Sequence, residues 1–332
     1  MTTILVLGAT GFIGGHISLA AVERGWQVRG LRRDPAATGI LGPAAMEWFT
    51  GSLEDAPSLA PALRDVEVVF HTAAYYPSTG MHVARQVATA VEQVRGVLRA
   101  CREAGRPRLV YTSSLSTIGR PPPGEERPAD ERDVYRPGTL PRSAYYECKS
   151  AMESEVLGAA AAGYPAVVVN PTVVFGPGDA RPTTGGLLLA LARGAGLISL
   201  PGWLNVVDVR DVASAHLSAA GSGAAGERYI LGGHNLRIAE FMRRAALAAG
   251  ARPPRLELPR SVLRVLVRTA ERLPGLSVVG NHLGAFEFWQ PLDSGKAARH
   301  LGLQARPWDE TLRDSLDWYR RHGALRPATP VV

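Results

Sequence analysis

Lysine is almost missing from this sequence. Of its 37 basic residues only Lys149 and Lys296 are lysines, and arginine supplies the rest. Where arginine is the default cation, a lysine marks a position that needs an amine. Cysteine is equally scarce. Cys101 and Cys148 are too few for a disulfide framework, and neither has a metal-ligand partner nearby. The histidines, including His216 and His234, show no metal spacing, so no metal is expected. No apolar run approaches the ~20 residues of a membrane span, and the richest stretch, 187–200, is broken by Arg193. The apolar start is short and lacks a cationic lead, so a cytoplasmic protein without a transmembrane segment is expected. The basic excess, 37 against 30 acidic residues, is scattered, with no dense run or aromatic platform, and no nucleic-acid partner is expected.

What is present is a long chain, 332 residues and 46% hydrophobic, able to bury a full core. Apolar runs and turn signals predict strands at 4–7, 27–31, 47–50, 66–70, 108–112, 166–169 and 228–231. Helical patterns fall at 12–24, 83–104, 142–162 and 212–220, the second with Val87, Val91, Val94 and Leu98 on one face. Strand–helix alternation implies an α/β fold, a doubly wound parallel sheet of the Rossmann type. The later sequence reads as a smaller C-terminal α+β lobe. The expected division is 1–170 plus about 203–231 for a nucleotide-binding domain, and 171–202 plus 232–332 for a substrate lobe. Residues 119–141, rich in Pro, Gly and charge, read as a long loop near the site.

Four segments carry chemistry. Gly8, Thr10, Gly11, Phe12, Ile13 and Gly14 form a glycine turn directly after the first strand, where a pyrophosphate rests on the N–H groups of a helix start. The second strand ends in Arg32-Arg33, where an acidic residue would suit the ribose of NAD and an arginine suits the 2′-phosphate of NADP. Two solvated surface arginines would read the same way. Tyr145 and Lys149 lie four apart, on one face of a helix. A free tyrosine titrates at about 10, and a nearby ammonium lowers that toward the range acid–base catalysis needs. Tyr146 competes for the role, but four residues on it meets Ser150. Last, Thr112-Ser113-Ser114 sits just past a strand, where a hydroxyl can donate to a substrate carbonyl or simply cap backbone.

Together these residues resemble the extended short-chain dehydrogenase/reductases, the NAD-dependent epimerase/dehydratase family. The landmarks run in order: the glycine turn, His71-Thr72-Ala73-Ala74, the serine pair, Tyr145 and Lys149, Asn170-Pro171-Thr172, and Phe175-Gly176-Pro177-Gly178. The family's catalytic serine lies five before a glycine, which implies Ser114 with Gly119. The resemblance further implies that Lys149 holds the nicotinamide ribose and that Thr72, Ala73, Ala74 and Thr112 line the cofactor. It places Pro171, Thr172 and Val173 at the nicotinamide, and Ser52 and Leu53 near adenine, although the family usually has Asp where Ser52 stands. The strand-end arginines and the segment 204–213 are similar to the dihydroflavonol 4-reductase-like branch and its bacterial relatives, including hopanoid-associated sugar epimerase-like proteins. Two departures bear on substrate. Leu115-Ser116 stand where nucleotide-sugar dehydratases have Asp-Glu, and Leu204-Asn205 stand where sugar epimerases commonly have Arg-Asp.

The expected activity is NADP(H)-dependent, rather than NAD(H)-dependent, reduction of a ketone or aldehyde, or oxidation of the alcohol, on a largely apolar small molecule. A nucleotide-sugar epimerase that retains its cofactor is the alternative enzyme, and a non-catalytic NADP-binding regulator the alternative class. A monomer or homodimer is expected. Arg260, Arg264, Arg268 and Arg272 alternate with Val262, Leu263, Leu266 and Val267. That pattern suits a core-packed helix with a solvated arginine face, or a weak contact with a membrane surface.

Overall fold

The computed structural model describes residues 2–42, 46–77, 81–140, 142–272 and 289–325. In chain order the strands are β1 (Thr3–Leu7), β2 (Gln27–Arg32), β3 (Glu47–Thr50), β4 (Val68–His71), β5 (Arg108–Thr112), β6 (Ala166–Pro171), β7 (Val173–Phe175), β8 (Ile198–Ser199), β9 (Trp203–Asp208), β10 (Arg228–Leu231), β11 (His234–Arg237) and β12 (Leu256–Glu257). The α-helices are α1 (Phe12–Glu23), α2 (Ala60–Leu63), α3 (Val83–Glu103), α4 (Ala144–Ala161), α5 (Gly185–Ala192), α6 (Val209–Ser222), α7 (Ile238–Ala248), α8 (Arg260–Arg272), α9 (Gly295–Leu301) and α10 (Trp308–Arg321).

Seven strands form the central sheet in the order β10-β6-β5-β4-β1-β2-β3, and all pair in parallel. Parallel sheets are buried on both faces, which explains the continuous apolar runs of β1, β4 and β6. One face packs α1 and α6 through Ile17, Ala21, Val212 and Leu217, and the other packs α3 and α4 through Val94, Leu98, Met152 and Val156. The strand order reverses between β1 and β4, and a crevice at such a reversal is where open α/β sheets bind ligands. Each strand expected from sequence forms, with ends displaced by at most two residues.

Three differences have physical causes. On α3 the deepest stripe is Ala90, Val94, Val97 and Cys101, while Val87 only packs partly buried against this core. Small Ala90 lets α3 lie close to its neighbours. α6 starts at Val209, three residues before its apolar pattern, because the Asp208 side chain accepts from Arg210 N at 2.8 Å and caps it. The second layer, β7, β9 and β11 with α5, α7 and α10 around Phe175, Phe241 and Trp308, is assembled by pairing β9 with β7 and β11, which no local stretch encodes. On α8, Leu263 and Val267 are buried, whereas Val262, Val265 and Leu266 are 43%, 62% and 48% exposed. Core packing accounts for only part of that helix.

The turn from β1 to α1 is tight. Gly8 adopts φ +97°, and Gly11 N donates to Gly8 O at 2.9 Å. A Cβ on Gly14 would collide with the Gly8 carbonyl and come within 2.7 Å of Thr72 Oγ1. Gly158, exposed on α4, would meet nothing within 4 Å. Gly14→Ala is therefore expected to cost about 1–3 kcal/mol in overpacking, and Gly158→Ala to add about 0.5–1 kcal/mol. Denaturant unfolding of the two variants checks the opposite signs, and equal midpoints would refute the packing argument.

Candidate active site

The carboxyl ends of β1 and β4 are laced together. Thr72 N, Ala73 N and Thr72 Oγ1 all donate to Leu7 O, at 2.9, 2.8 and 2.8 Å. That places Thr72, Ala73 and Ala74 against the glycine turn, since a Cβ on Gly8 would lie 2.7 Å from Thr72 Oγ1 and 2.8 Å from Ala73 N. Phe12 and Ile13 open α1, whose first turn carries no acidic residue, leaving its N–H groups available to an anion. Arg32 closes β2, its guanidinium 5.1 Å from the Trp48 ring and its Nε buried without a hydrogen-bond partner. Arg33 is exposed beside it. Ser52 follows β3, and its hydroxyl accepts from Glu54 N, so it serves its own turn, while Leu53 packs on the core.

The orphaned atoms extend across the same sheet edge. Ser113 Oγ and Thr172 Oγ1 are also buried without partners among the described residues. A buried polar atom without a partner costs about 1–3 kcal/mol. Such atoms beside a glycine cradle and a helix start fit a polar, anionic dinucleotide. Thr112 departs from the pattern, because its hydroxyl bonds His216 Nε2 at 2.9 Å under α6.

Ser114 lies just past β5. Its Oγ accepts from Ser116 N at 3.2 Å and from Tyr145 OH at 3.1 Å. Tyr145 and Lys149 follow on α4, one turn apart. Lys149 is 8% exposed and, among the described residues, makes no hydrogen bond. Burial pulls its pKa down to about 8, against the opposing charge of Glu153. The expected lowering of the Tyr145 pKa is not found. Burial raises it, because the phenolate loses hydration, and the Ser114 hydrogen bond offsets only part of that. Tyr146, 6.2 Å from Tyr145 between ring centroids, is buried and pushed up to about 12 by that burial.

Val173 lies just beyond Pro171 and Thr172 and lines a narrow cleft with Leu115, Ile118, Tyr146, Trp203 and Trp289. Asn205 also faces it, but its amide is engaged: Nδ2 donates to Asn235 Oδ1 at 2.8 Å and Oδ1 accepts from Gly233 N at 3.0 Å. Tyr76, 77% exposed, stands 5.7 Å from the Tyr145 ring. Sequence reasoning missed Trp203, Trp289 and Tyr76. Trp203 and Trp289 lie far apart in the chain and only the fold brings them to one cleft, while Tyr76 comes against the Tyr145 ring. Glu153 was also missed, although it continues the spacing of four from Tyr145 and Lys149.

Comparison with known proteins agrees with this geometry. Residues 4–232 match the family described as the NAD dependent epimerase/dehydratase family. A Synechocystis sp. protein provisionally named as a dihydroflavonol 4-reductase is 31% identical over 97% of this chain and 95% of its own length. The 2-alkyl-3-oxoalkanoate reductase of Stenotrophomonas maltophilia is 31% identical over 76% of this chain and 77% of its own. The crystal structure of a nucleoside-diphosphate-sugar epimerase from Pseudomonas aeruginosa is 30% identical, with TM-score 0.82 over 98% of this chain and 99% of that one. No helix among the described residues is long and apolar enough to cross a membrane.

His71, at the end of β4, is held neutral. Burial, helped by the Lys149 charge, takes its pKa down to about 3, so it carries no proton at neutral pH. The unfolded chain protonates this histidine below about 6.5, and the folded one does so only near 3. Its neutral state thus adds stability above about 6.5 that is lost as pH falls toward 3, by about 1.4 kcal/mol per pH unit. His71→Phe, which keeps a ring against Tyr111, is expected to flatten the acid dependence of unfolding between pH ~6 and ~4 by roughly that slope. An unchanged slope in urea titrations would show that His71 is protonated in the fold.

Proposed function

The chain belongs to the NAD dependent epimerase/dehydratase family, and within it we propose an NADP(H)-dependent oxidoreductase that reduces a ketone or aldehyde, or oxidises the alcohol, on a largely apolar small molecule. The observation that carries this reading is the Ser114 hydroxyl. Both of its acceptor positions are taken, by Ser116 N and Tyr145 OH. Its own proton is therefore directed elsewhere, and in this reading a substrate carbonyl oxygen beside Tyr145 is its acceptor.

A bound nicotinamide supplies the hydride. The protein's part is to hold the carbonyl and provide the proton. Ser114 donates to the oxygen and orients it. Tyr145, kept protonated by burial, turns its phenolic O–H from Ser114 to the oxygen and transfers that proton as negative charge develops there. Lys149, one helical turn along, stabilises the resulting phenolate and holds the nicotinamide ribose. The glycine turn with Thr72, Ala73 and Ala74 receives the diphosphate, Ser52 and Leu53 lie toward adenine, and Pro171, Thr172 and Val173 border the nicotinamide. The seven-stranded sheet domain, 1–170 plus about 203–231, serves the cofactor in this reading, and 171–202 plus 232–332 selects the substrate.

The apolar lining supports the substrate class, as does the likeness to a reductase named for an alkyl oxoalkanoate. An epimerase acting on a sugar nucleotide is the second reading, favoured by the likeness to the Pseudomonas aeruginosa structure. It would need polar partners for a diphosphate in this cleft, where Leu204 is buried and the Asn205 amide is already engaged.

Arg32 and Arg33 are assigned to the 2′-phosphate. A charged hydrogen bond contributes about 1.5–3 kcal/mol, at least tenfold in affinity. NADPH is expected to bind at least tenfold tighter than NADH, and Arg32→Ala to remove the difference. Fluorescence titration of both cofactors checks this, and equal affinities in the parent protein would refute it.

Turnover tests the chemistry. Protein given NADPH and a panel of alkyl ketones and aldehydes should consume the cofactor stoichiometrically. Tyr145→Phe should keep cofactor binding but lose at least about a hundredfold in rate, while Tyr146→Phe stays close to the parent. Tightly held, unconsumed cofactor together with interconversion of a sugar nucleotide would establish the epimerase instead.

A further inference from the structure

We propose that Glu153 is a positioning residue for this reaction, anchoring the Ser114 loop through Thr117 and Asn170 and facing Lys149 with the negative charge that accompanies its amine. The inference rests on the reading of Ser114, Tyr145 and Lys149 as the reacting groups.

Glu153 lies on α4 four residues beyond Lys149 and eight beyond Tyr145, so the three share one face. It is 3% exposed. Its Oε2 accepts from Thr117 Oγ1 and from Asn170 Nδ2, both at 2.7 Å. Its Oε1 stands 2.8 Å from Arg228 Nε, a contact of charges rather than an aligned hydrogen bond. Arg228 in turn donates to Thr117 O at 2.9 Å and to Glu131 O at 3.0 Å. The web closes on Ser114, whose carbonyl is within reach of Thr117 Oγ1 at 2.9 Å and Asn170 Nδ2 at 3.3 Å. Strands β6 and β10, helix α4 and the loop after β5 thus meet at one carboxylate.

Stability alone gives little reason for this arrangement. Apolar side chains of similar volume often replace a buried ion pair at no loss, whereas removing one partner strands the other charge. The position next to the reacting groups supplies the reason. The groups facing Lys149 are His71 from β4, neutral by burial, and Tyr145, Cys148 and Glu153 from α4 itself. Tyr111 on β5 also stays neutral by burial, and Arg228 on β10 sits beyond Glu153. Of these only Glu153 carries negative charge. Burial pulls Lys149 toward the neutral amine, and Glu153 opposes that pull.

The shortage of lysine makes a direct measurement simple. With only Lys149 and Lys296 in the chain, NMR of protein carrying isotope-labelled lysine shows two side-chain titrations, read without any turnover. In the parent protein the Lys149 midpoint is expected at about 8. In Glu153→Gln it should fall by one pH unit or more while Lys296 stays in place. A folded Glu153→Gln protein with an unmoved Lys149 midpoint would overturn the proposal. Thr117→Val leaves both charges and tests the anchoring, also where Glu153→Gln does not fold. It should lower kcat at least tenfold with NADPH affinity and the Lys149 midpoint unchanged, and a parental kcat would overturn the proposal. If the parent protein reduces no carbonyl, the reading beneath fails instead, and the lysine titration still reports on Glu153.

Discussion

Lys149 is almost enclosed at the carboxyl edge of the sheet, and the water that would hydrate its ammonium is largely excluded. An unpaired buried charge is expensive, and proteins relieve it by shifting a pKa or by placing opposite charge nearby. Both occur here. The amine is drawn down to about 8, and Glu153 one turn along holds it from falling further. Glu153 is itself buried, which calls in Arg228, Asn170 and Thr117. Those contacts settle the loop that carries Ser114. The geometry of the reactive end thus follows from the need to keep one amine charged away from water.

The parallel sheet supplies the frame that makes this possible. Its strands end together, so the glycine turn after β1, the Thr72 segment after β4, Ser114 after β5 and Thr172 after β6 emerge on one edge. Hydrogen bonds of Thr72 and Ala73 to Leu7 O lock two of these ends in register. Across the edge the character changes. Orphaned hydroxyls and an arginine lie along the edge that carries the glycine turn, while leucine, isoleucine, tyrosine and tryptophan line a cleft. The second layer joins this frame through charge. Arg306 of the segment before α10 forks onto Asp211 of α6 at 3.0 and 2.8 Å, and Arg210 bridges Asp208 and Asp314.

Most of the sheet and its turn were legible because their signals are local. A continuous apolar strand, a glycine at positive φ and a helix start are each written in fewer than ten consecutive residues. Tyr145 and Lys149 were legible for a different reason. One lysine in an arginine-rich chain stands out, and a spacing of four needs only a helix to bring the pair to one face. Thr112 shows the limit of such reasoning. The family resemblance implied that it lines the cofactor, and the structure shows its hydroxyl at the end of β5 bonded to His216 Nε2 of α6.

The order of strands and helices, the glycine turn, the Arg32 strand end and the Tyr145–Lys149 face were determined by the sequence itself, through periodicity, backbone freedom and spacing along the chain. Tertiary structure decided what depends on residues far apart. It chose the two acceptor contacts of Ser114 and raised rather than lowered the Tyr145 pKa by burying it. It also joined Glu153 to Arg228 across 75 residues and turned Trp203 and Trp289 toward one cleft. Burial and long-range contact belong to the packed state, because solvent exclusion depends on every neighbouring element at once and no local stretch of sequence encodes it.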